Sequence, residues 1–197
     1  MNPVLLPFIS YAILTTFTPG PNNITASTLG ARGGYRRAMP FLTGMTAGFF
    51  TLLAASGLLA DFILRSYSAV APWIRWLGVA YMVWLALSPL IPHGRPKDGE
   101  TRDPRFVQGF LLQFINPKGI LYCVTLYSSF PSLLSGSTSR VLLASLGLAA
   151  LGFSAVSLWA TTGAVLKRFL GRPRSRRVFD AAMSLLLLWC AWSIATH

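Results

Sequence analysis

Two proline-containing polar sequences interrupt stretches that are otherwise apolar enough to cross a membrane. Thr18-Pro19-Gly20-Pro21-Asn22-Asn23 lies in the first half of the chain, and Asn116-Pro117-Lys118 lies in the second. A proline removes one backbone hydrogen bond and clashes with the carbonyl four residues earlier, so it breaks a helix. Within lipid, the freed groups are tolerated only where they face protein or a wet cavity. One break in each half is typical of secondary transporters with inverted repeats.

The composition favours a membrane protein. Of the 197 residues, 53% are hydrophobic and only 11% are charged, and the mean hydropathy is +0.56, which is too apolar for an ordinary soluble domain. The formal net charge is +12, but most basic residues lie in short segments between apolar runs. Membrane topology explains this pattern better than nucleic-acid binding does. We therefore predict an all-α, polytopic membrane protein that contacts lipid and does not bind nucleic acid.

Six segments are long enough to span a hydrocarbon core of about 30 Å at about 1.5 Å per residue. We treat the first as a retained helix, because the N-terminus has no basic region and no cleavage site of the secretory kind. The predicted spans run over residues 3–30, 38–60, 69–90, 106–130, 141–166 and 178–195. The first and fourth contain the proline breaks.

Loop charges predict the orientation. Loops after the odd-numbered spans hold thirteen Lys and Arg residues, and loops after the even-numbered spans hold only Arg65 and Arg140. Because basic loops stay in the cytoplasm, both termini are expected outside. The polar segment 92–105 divides this single transporter domain into repeat one, 1–91, and repeat two, 106–197. Each repeat has three crossings, so the two repeats are expected to be inverted.

The first break is expected to expose polar groups in mid-membrane. Pro19 and Pro21 deprive the carbonyls of Thr15 and Phe17 of their helical partners. We expect one half-helix to end near Phe17 and another to restart near Thr18 or Pro19, with Thr18 as its cap. Asn22 and Asn23 are expected to face the gap between them.

The second break carries the only basic residue clearly at membrane depth. Asn116 is a good N-cap residue and Pro117 a good first helical residue, so a half-helix is expected to begin there. A charge at the centre of a membrane helix costs about 2.5–3.5 kcal/mol on insertion scales, so Lys118 is expected to face the protein interior. It either attracts a substrate carboxylate, pairs structurally with carbonyls of the first break, or carries a proton.

The chemistry of the two breaks suits a zwitterion. Lys118 and the half-helix N-termini would attract a carboxylate, and the freed carbonyls and Asn oxygens would accept from an ammonium. No carboxylate is predicted deep in the membrane, which disfavours cationic cargo and favours neutral amino acids.

Two helix faces have more than one interpretation. Lys118, Tyr122, Thr125 and Ser129 share one helix face and either line a path or pack between helices. Gly44 and Gly48 form a small-residue face that predicts close helix packing.

These motifs resemble the lysine exporter (LysE) family of bacterial amino-acid exporters. The resemblance covers essentially the whole chain and includes the Gly34-Tyr35-Arg36 turn and Gly78-Val79-Ala80-Tyr81 with Trp84-Leu85. The segment Leu112-Gln113-Phe114-Ile115-Asn116, with Tyr122 beyond it, is most similar to the branch that exports cysteine and O-acetylserine.

The resemblance implies a bacterial inner-membrane exporter of small amino acids. The cargo would be like cysteine and O-acetylserine or like threonine and homoserine, and the proton gradient would drive it. The two proline motifs would form the central site, and the residues expected to bind substrate are Thr18, Pro19, Gly20, Pro21, Asn22, Asn23, Gln113, Asn116, Pro117, Lys118 and Tyr122.

Other functions receive less support from the sequence. An intramembrane enzyme would need a Ser-His or paired-carboxylate set, and His93 and His197 lie in a loop and at the terminus. A metal or ion transporter would need clustered Cys, His, Asp or Glu ligands. Cys123 and Cys190 are interpreted as small buried hydrophobes, and no cofactor is expected. A non-transporting scaffold and a homo-oligomer remain open.

Overall fold

The computed structural model describes residues 4–59, 105–134 and 136–169, with single positions between 73 and 87 and between 178 and 192. In these parts the chain forms seven helices and no strand. They are α1 (Leu5–Phe17), α2 (Pro21–Gly33), α3 (Tyr35–Leu58), α4 (Phe106–Ile115), α5 (Pro117–Ser129), α6 (Pro131–Leu134) and α7 (Thr138–Phe169). The prediction of an all-α chain is confirmed for this described part.

The predicted first and fourth spans are each divided into two short helices. Helices α1 and α2 have 13 residues each, and α4 and α5 have 10 and 13. A helix of 13 residues rises only about 20 Å, which is less than the hydrocarbon thickness of about 30 Å. One crossing therefore needs both members of a pair.

The predicted second and fifth spans are continuous helices. Helix α3, and α7 over Thr138–Val165, are each long and apolar enough to cross a membrane, with mean hydropathies of 1.5 and 2.1. Single described positions within the predicted third and sixth spans are helical. Most of those two spans lies outside the described residues, as does most of the basic loop after the third span and of the one after the fifth, but Lys167 and Arg168, predicted in the loop after the fifth span, lie within α7.

Gly34 allows the sharp join between α2 and α3. Its φ of 84° is a conformation that residues with a side chain rarely adopt. Its backbone N–H donates to the carbonyl of Gly30 at 2.8 Å and closes α2. The predicted Gly34-Tyr35-Arg36 turn is therefore a helix end followed at once by a new helix.

Glycines bring the helices into backbone contact. The most extensive helix contacts join α2 to α7 and α3 to α4. A Cβ added to Gly30 would collide with the carbonyl of Ala160, and one added to Gly163 would collide with the carbonyl of Ser27. Such close approach is how membrane helices gain van der Waals contact in lipid, where there is no hydrophobic drive between helices.

The predicted packing role of Gly44 and Gly48 has a direct structural counterpart. A Cβ on Gly44 would collide with the carbonyl of Phe106, and a Cβ on Gly48 would lie 2.5 Å from the carbonyl oxygen of Phe110. From the opposite helix, Gly109 approaches the carbonyl of Phe41 in the same way. Helices α3 and α4 therefore meet through glycines on both sides.

Two buried clusters occupy the interior. The first contains Leu53, Tyr122, Cys123 and Leu126, with aromatic residues of α1 and α3 packed against it. The second contains Ala26, Leu42, Met45, Val156 and Ala160 among its members. Large apolar side chains on the outside, such as Leu6 and Leu14 of α1, are about two-thirds exposed, at 65% and 66%, and this surface suits contact with lipid acyl chains.

We predict that Gly163→Ala destabilises the protein by forcing α2 away from α7. Overpacking of this kind typically costs about 1–3 kcal/mol. Thermal unfolding in detergent, followed by size-exclusion chromatography, measures the effect. Gly147→Ala is the matched control on the same helix, because an added Cβ there meets no atom within 4 Å. Equal unfolding temperatures for the two variants would contradict the packing role of Gly163.

Candidate functional site

The first break lies between Phe17 and Pro21. Helix α1 ends at Phe17, and α2 begins at Pro21 with Gly20 as its N-cap. The prediction that α2 restarts near Thr18 or Pro19 with Thr18 as its cap is wrong. Thr18 instead ends α1, and its hydroxyl donates to the carbonyl of Thr15 at 2.9 Å. Pro21 is the better first residue because its φ is already helical and its missing N–H needs no partner there.

The carbonyls at the end of α1 accept hydrogen bonds from the protein itself. The side-chain amide of Asn23 donates to the carbonyls of Thr16 and Thr18, both at 2.9 Å. The indole N–H of Trp159, on α7, donates to the carbonyl of Phe17 at 3.2 Å. The two carbonyls that the sequence predicts to be freed, those of Thr15 and Phe17, thus each accept a hydrogen bond from within the protein.

Lys118 completes this set of contacts from the other half of the chain. Its Nζ donates to the carbonyl of Thr18 at 2.9 Å, to the hydroxyl of Thr18 at 2.9 Å and to the carbonyl of Pro19 at 3.2 Å. Of the three roles expected for this lysine, these contacts match structural pairing with the first break. Hydrogen bonds of a charged donor are roughly twice as strong as neutral ones, so the lysine fixes the two breaks relative to each other.

The second break agrees with the sequence prediction. Helix α4 ends at Ile115, Asn116 is the N-cap of α5, and Pro117 is its first residue. The Asn116 side-chain oxygen accepts from the backbone N–H of Lys118 at 3.2 Å. Asn116 is itself only 2% exposed, so this cap is buried inside the protein.

A second hydrogen bond joins the two breaks. The side-chain amide of Asn22 donates to Oε1 of Gln113 at 3.0 Å. Gln113 is 1% exposed, and it lies one turn before the second break. The two halves are thus connected by a lysine-carbonyl contact and by an amide pair.

A cavity of about 60 Å³ lies between the breaks. This volume is larger than the roughly 10–15 Å³ that a single water needs, so the space can admit a small group. Among the described residues that line it, Lys118 is the single charged one, and amides, hydroxyls, aromatic rings and glycines supply most of the rest. The lining residues are Thr15, Thr16, Gly20, Asn22, Asn23, Met45, Thr46, Phe49, Gln113, Asn116, Lys118, Gly119, Tyr122, Gly152 and Val156.

Seven of the eleven residues predicted to bind substrate line this cavity. These are Gly20, Asn22, Asn23, Gln113, Asn116, Lys118 and Tyr122. Thr18 and Pro19 instead accept hydrogen bonds from Lys118. Pro21 and Pro117 are buried at the first positions of their helices. These four residues shape the breaks without lining the cavity.

Eight lining residues were not predicted from the sequence. Thr15, Thr16 and Gly119 flank the motifs, so proximity along the chain is a signal that could have found them. Met45, Thr46, Phe49, Gly152 and Val156 lie on α3 and α7. The similar Gly48-Phe49 and Gly152-Phe153 pairs mark these helices in the two halves, but nothing in the pattern shows which member faces a cavity.

Tyr122 is part of an aromatic cluster beside the cavity. Its ring stacks on Tyr11 with centroids 5.7 Å apart and lies 5.6 Å from Phe49. Phe130 lies 6.3 Å from Tyr11, and the Thr16 hydroxyl donates to the Tyr122 hydroxyl at 3.4 Å. Tyr122 therefore packs between helices and, like Lys118, also lines the cavity, so the two predicted roles of this helix face are combined at Tyr122.

Comparison with known proteins identifies the family. The model of the family described as LysE type translocator matches residues 13–197. The chain belongs to the LysE family. It is a transporter and not an enzyme, so the intramembrane enzyme considered from the sequence is excluded.

Relatives in this family match along nearly the whole chain. Proteins named cysteine/O-acetylserine efflux protein are 35% identical over 193 residues in Escherichia coli O1:K1, and 36% identical over 194 residues in Shigella flexneri. The relative of that name in Salmonella typhimurium strain LT2 is 31% identical over 192 residues. Each alignment covers 97% of both chains. The resemblance of the motifs to the LysE family is confirmed. No solved structure matches the chain.

We predict that Lys118→Met lowers the unfolding temperature in detergent more than Thr18→Val does. Lys118→Met removes all three contacts to the first break, and each hydrogen bond to a charged group contributes about 1.5–3 kcal/mol. Thr18→Val removes only the hydroxyl and leaves both carbonyl acceptors. If Lys118→Met abolished transport with an unchanged unfolding temperature, the lysine would act on substrate and would not connect the breaks.

Proposed function

We propose that this protein exports small neutral amino acids from the cytoplasm, of the cysteine and O-acetylserine kind or the threonine and homoserine kind. The observation that carries the proposal is the cavity between the two helix breaks, lined by neutral amides and hydroxyls with one lysine. A small zwitterionic amino acid needs polar partners for its carboxylate and its ammonium, and only a little apolar space for its side chain. The names of the similar proteins indicate the same cargo class.

Two helix N-termini at the cavity suit the carboxylate end of such a cargo. Gly20 and Asn22 belong to the start of α2, and Asn116 and Gly119 belong to the start of α5. Each N-terminus carries a partial positive charge and backbone N–H groups without intrahelical partners. The ammonium of Lys118 lies in the same wall and adds positive potential, although its hydrogen bonds go to the first break.

Asn22 is the group we propose for the ammonium end. Its Oδ1 is buried and has no hydrogen-bond partner among the described residues, while its amide N–H donates to Gln113. An unsatisfied buried acceptor costs about 1–3 kcal/mol. A substrate ammonium that donates to this oxygen removes that cost. Binding then gives a hydrogen-bond partner to both the ammonium and the Asn22 oxygen.

The proposed architecture is a single transmembrane domain with two inverted repeats of three spans each. It comprises repeat one at 1–91, a linker at 92–105 and repeat two at 106–197, in the bacterial inner membrane with both termini outside. The two broken helices begin the two repeats, and the loop charges support the orientation.

We predict that a cysteine at position 175 is protected from an impermeant thiol reagent in intact cells. Ser175 lies in the basic loop after the fifth span, which the positive-inside rule places in the cytoplasm. The experiment uses a background without Cys123 and Cys190. Ser139→Cys, at the start of α7, is the matched external position and is expected to react. Reaction at position 175 and protection at position 139 would reverse the proposed orientation.

We predict that purified protein in liposomes releases preloaded cysteine and O-acetylserine, and that Asn22→Ala and Asn116→Ala each reduce release at least about tenfold. For Asn22, loss of the proposed hydrogen bond to the substrate ammonium, about 1.5–3 kcal/mol, corresponds to at least that factor. Asn116→Ala removes the cap that holds the N-terminus of α5 beside the cavity. Thr43→Ala is the control, because Thr43 is exposed and outside the cavity. Unchanged release by both Asn variants would place the substrate elsewhere.

The same liposomes test the proposed driving force. We propose protons as the coupling ion, so an imposed pH gradient should accelerate release and a protonophore should remove that acceleration. Release that is indifferent to the gradient would leave cargo export intact and exclude proton coupling.

A further inference from the structure

Two glycines and one phenylalanine line the cavity from three different helices. Gly119 comes from α5, Gly152 from α7 and Phe49 from α3. Because glycine has no side chain, each of these positions leaves space that any other residue would fill. The three residues therefore influence how much volume is available beyond the polar ends of a bound amino acid.

Gly119 leaves the polar wall of the cavity uncovered. A Cβ added there would lie 3.5 Å from Nδ2 of Asn116, 3.6 Å from Oε1 of Gln113 and 3.7 Å from Leu52. These are ordinary van der Waals distances, so an alanine fits without moving its neighbours. The added methyl would stand against the amides of two other lining residues and occupy space beside them.

Gly152 determines where the ring of Phe49 lies. A Cβ added to Gly152 would be only 3.0 Å from Cδ1 and 3.2 Å from Cε1 of Phe49, closer than the optimal carbon separation of about 3.5–4.0 Å. Phe49 also packs near Tyr122, with ring centroids 5.6 Å apart. The ring is held between α7 and α5, and a methyl on Gly152 would displace it within the cavity wall.

We propose that Gly119, Gly152 and Phe49 set the upper size limit of the exported side chain. This inference rests on the proposed function, and it narrows the cargo to neutral amino acids with short side chains. The cavity is small, about 60 Å³, so a methyl group added to its wall reduces the space available to the side chain of a bound amino acid. Hydrophobic pockets discriminate one methylene by about 10–200-fold, which is the scale of selectivity that these positions control.

The test is the ratio of O-acetylserine to cysteine release from liposomes that contain both. Gly119→Ala and Gly152→Ala are expected to lower this ratio about tenfold or more, because the longer side chain loses its space first. Phe49→Leu and Phe49→Ala are expected to raise it and to allow release of methionine. Both cargoes are measured in the same liposomes, so the ratio does not depend on how much of a variant folds.

Gly147→Ala is the matched control, since its added Cβ meets no atom within 4 Å and it should leave the ratio unchanged. Equal reduction of both cargoes by the two glycine variants, with no gain of methionine release in either Phe49 variant, would overturn the size-limit inference. Release of neither cargo by the wild-type protein, and of neither threonine nor homoserine in the same assay, would instead overturn the proposed function. The two glycine variants are expected to lower the release ratio and the two Phe49 variants to raise it. If one variant misfolds, the remaining three still test the inference.

Discussion

The contact between the Lys118 ammonium and the first helix break is the interaction on which the rest of the site depends. A proline break in a membrane helix leaves carbonyls that need a donor from the protein or from water in a cavity, because lipid supplies none. Lys118 bonds to the carbonyls of Thr18 and Pro19 from the other half of the chain. Asn23 and Trp159 supply donors to the carbonyls just before them. The break therefore persists because three other parts of the fold satisfy it, and the cavity lies beside that arrangement.

Glycine packing complements these polar contacts. Helices α2 and α7 meet backbone to backbone through Gly30 and Gly163, and α3 meets α4 through Gly44 and Gly109. At these glycines the backbones approach too closely to leave room for a side chain. The cavity described above lies beside the breaks, where extended backbone and an N-terminal turn replace regular helix. Closely packed helix pairs therefore surround the two helix breaks, and the breaks supply the polar groups that a small polar cargo needs within a bilayer.

Several parts of the site followed from residue chemistry alone. Asn116 as a cap and Pro117 as a first helical residue depend on local backbone preferences, and the structure has both as expected. Thr18 was assigned wrongly because two residues could cap or start α2, and Pro21 is the stronger starting residue. The sequence also could not tell that Asn23 and Lys118 use the freed carbonyls, because those partners are set by how the helices pack. Phe49 and Gly152 were missed for the same reason, since an apolar helix pattern does not show which apolar residue borders a cavity.

By itself, the sequence determined that this chain is helical, belongs in a membrane and is interrupted by proline in both halves. Those properties depend on apolar length, loop charge and the missing N–H of proline, all of which are local. Only the tertiary structure decided that Lys118 binds the first break, that Asn22 pairs with Gln113 and that glycines leave a cavity between them. Those properties depend on distances between residues about ninety to one hundred positions apart, and such distances exist only after the helices have packed.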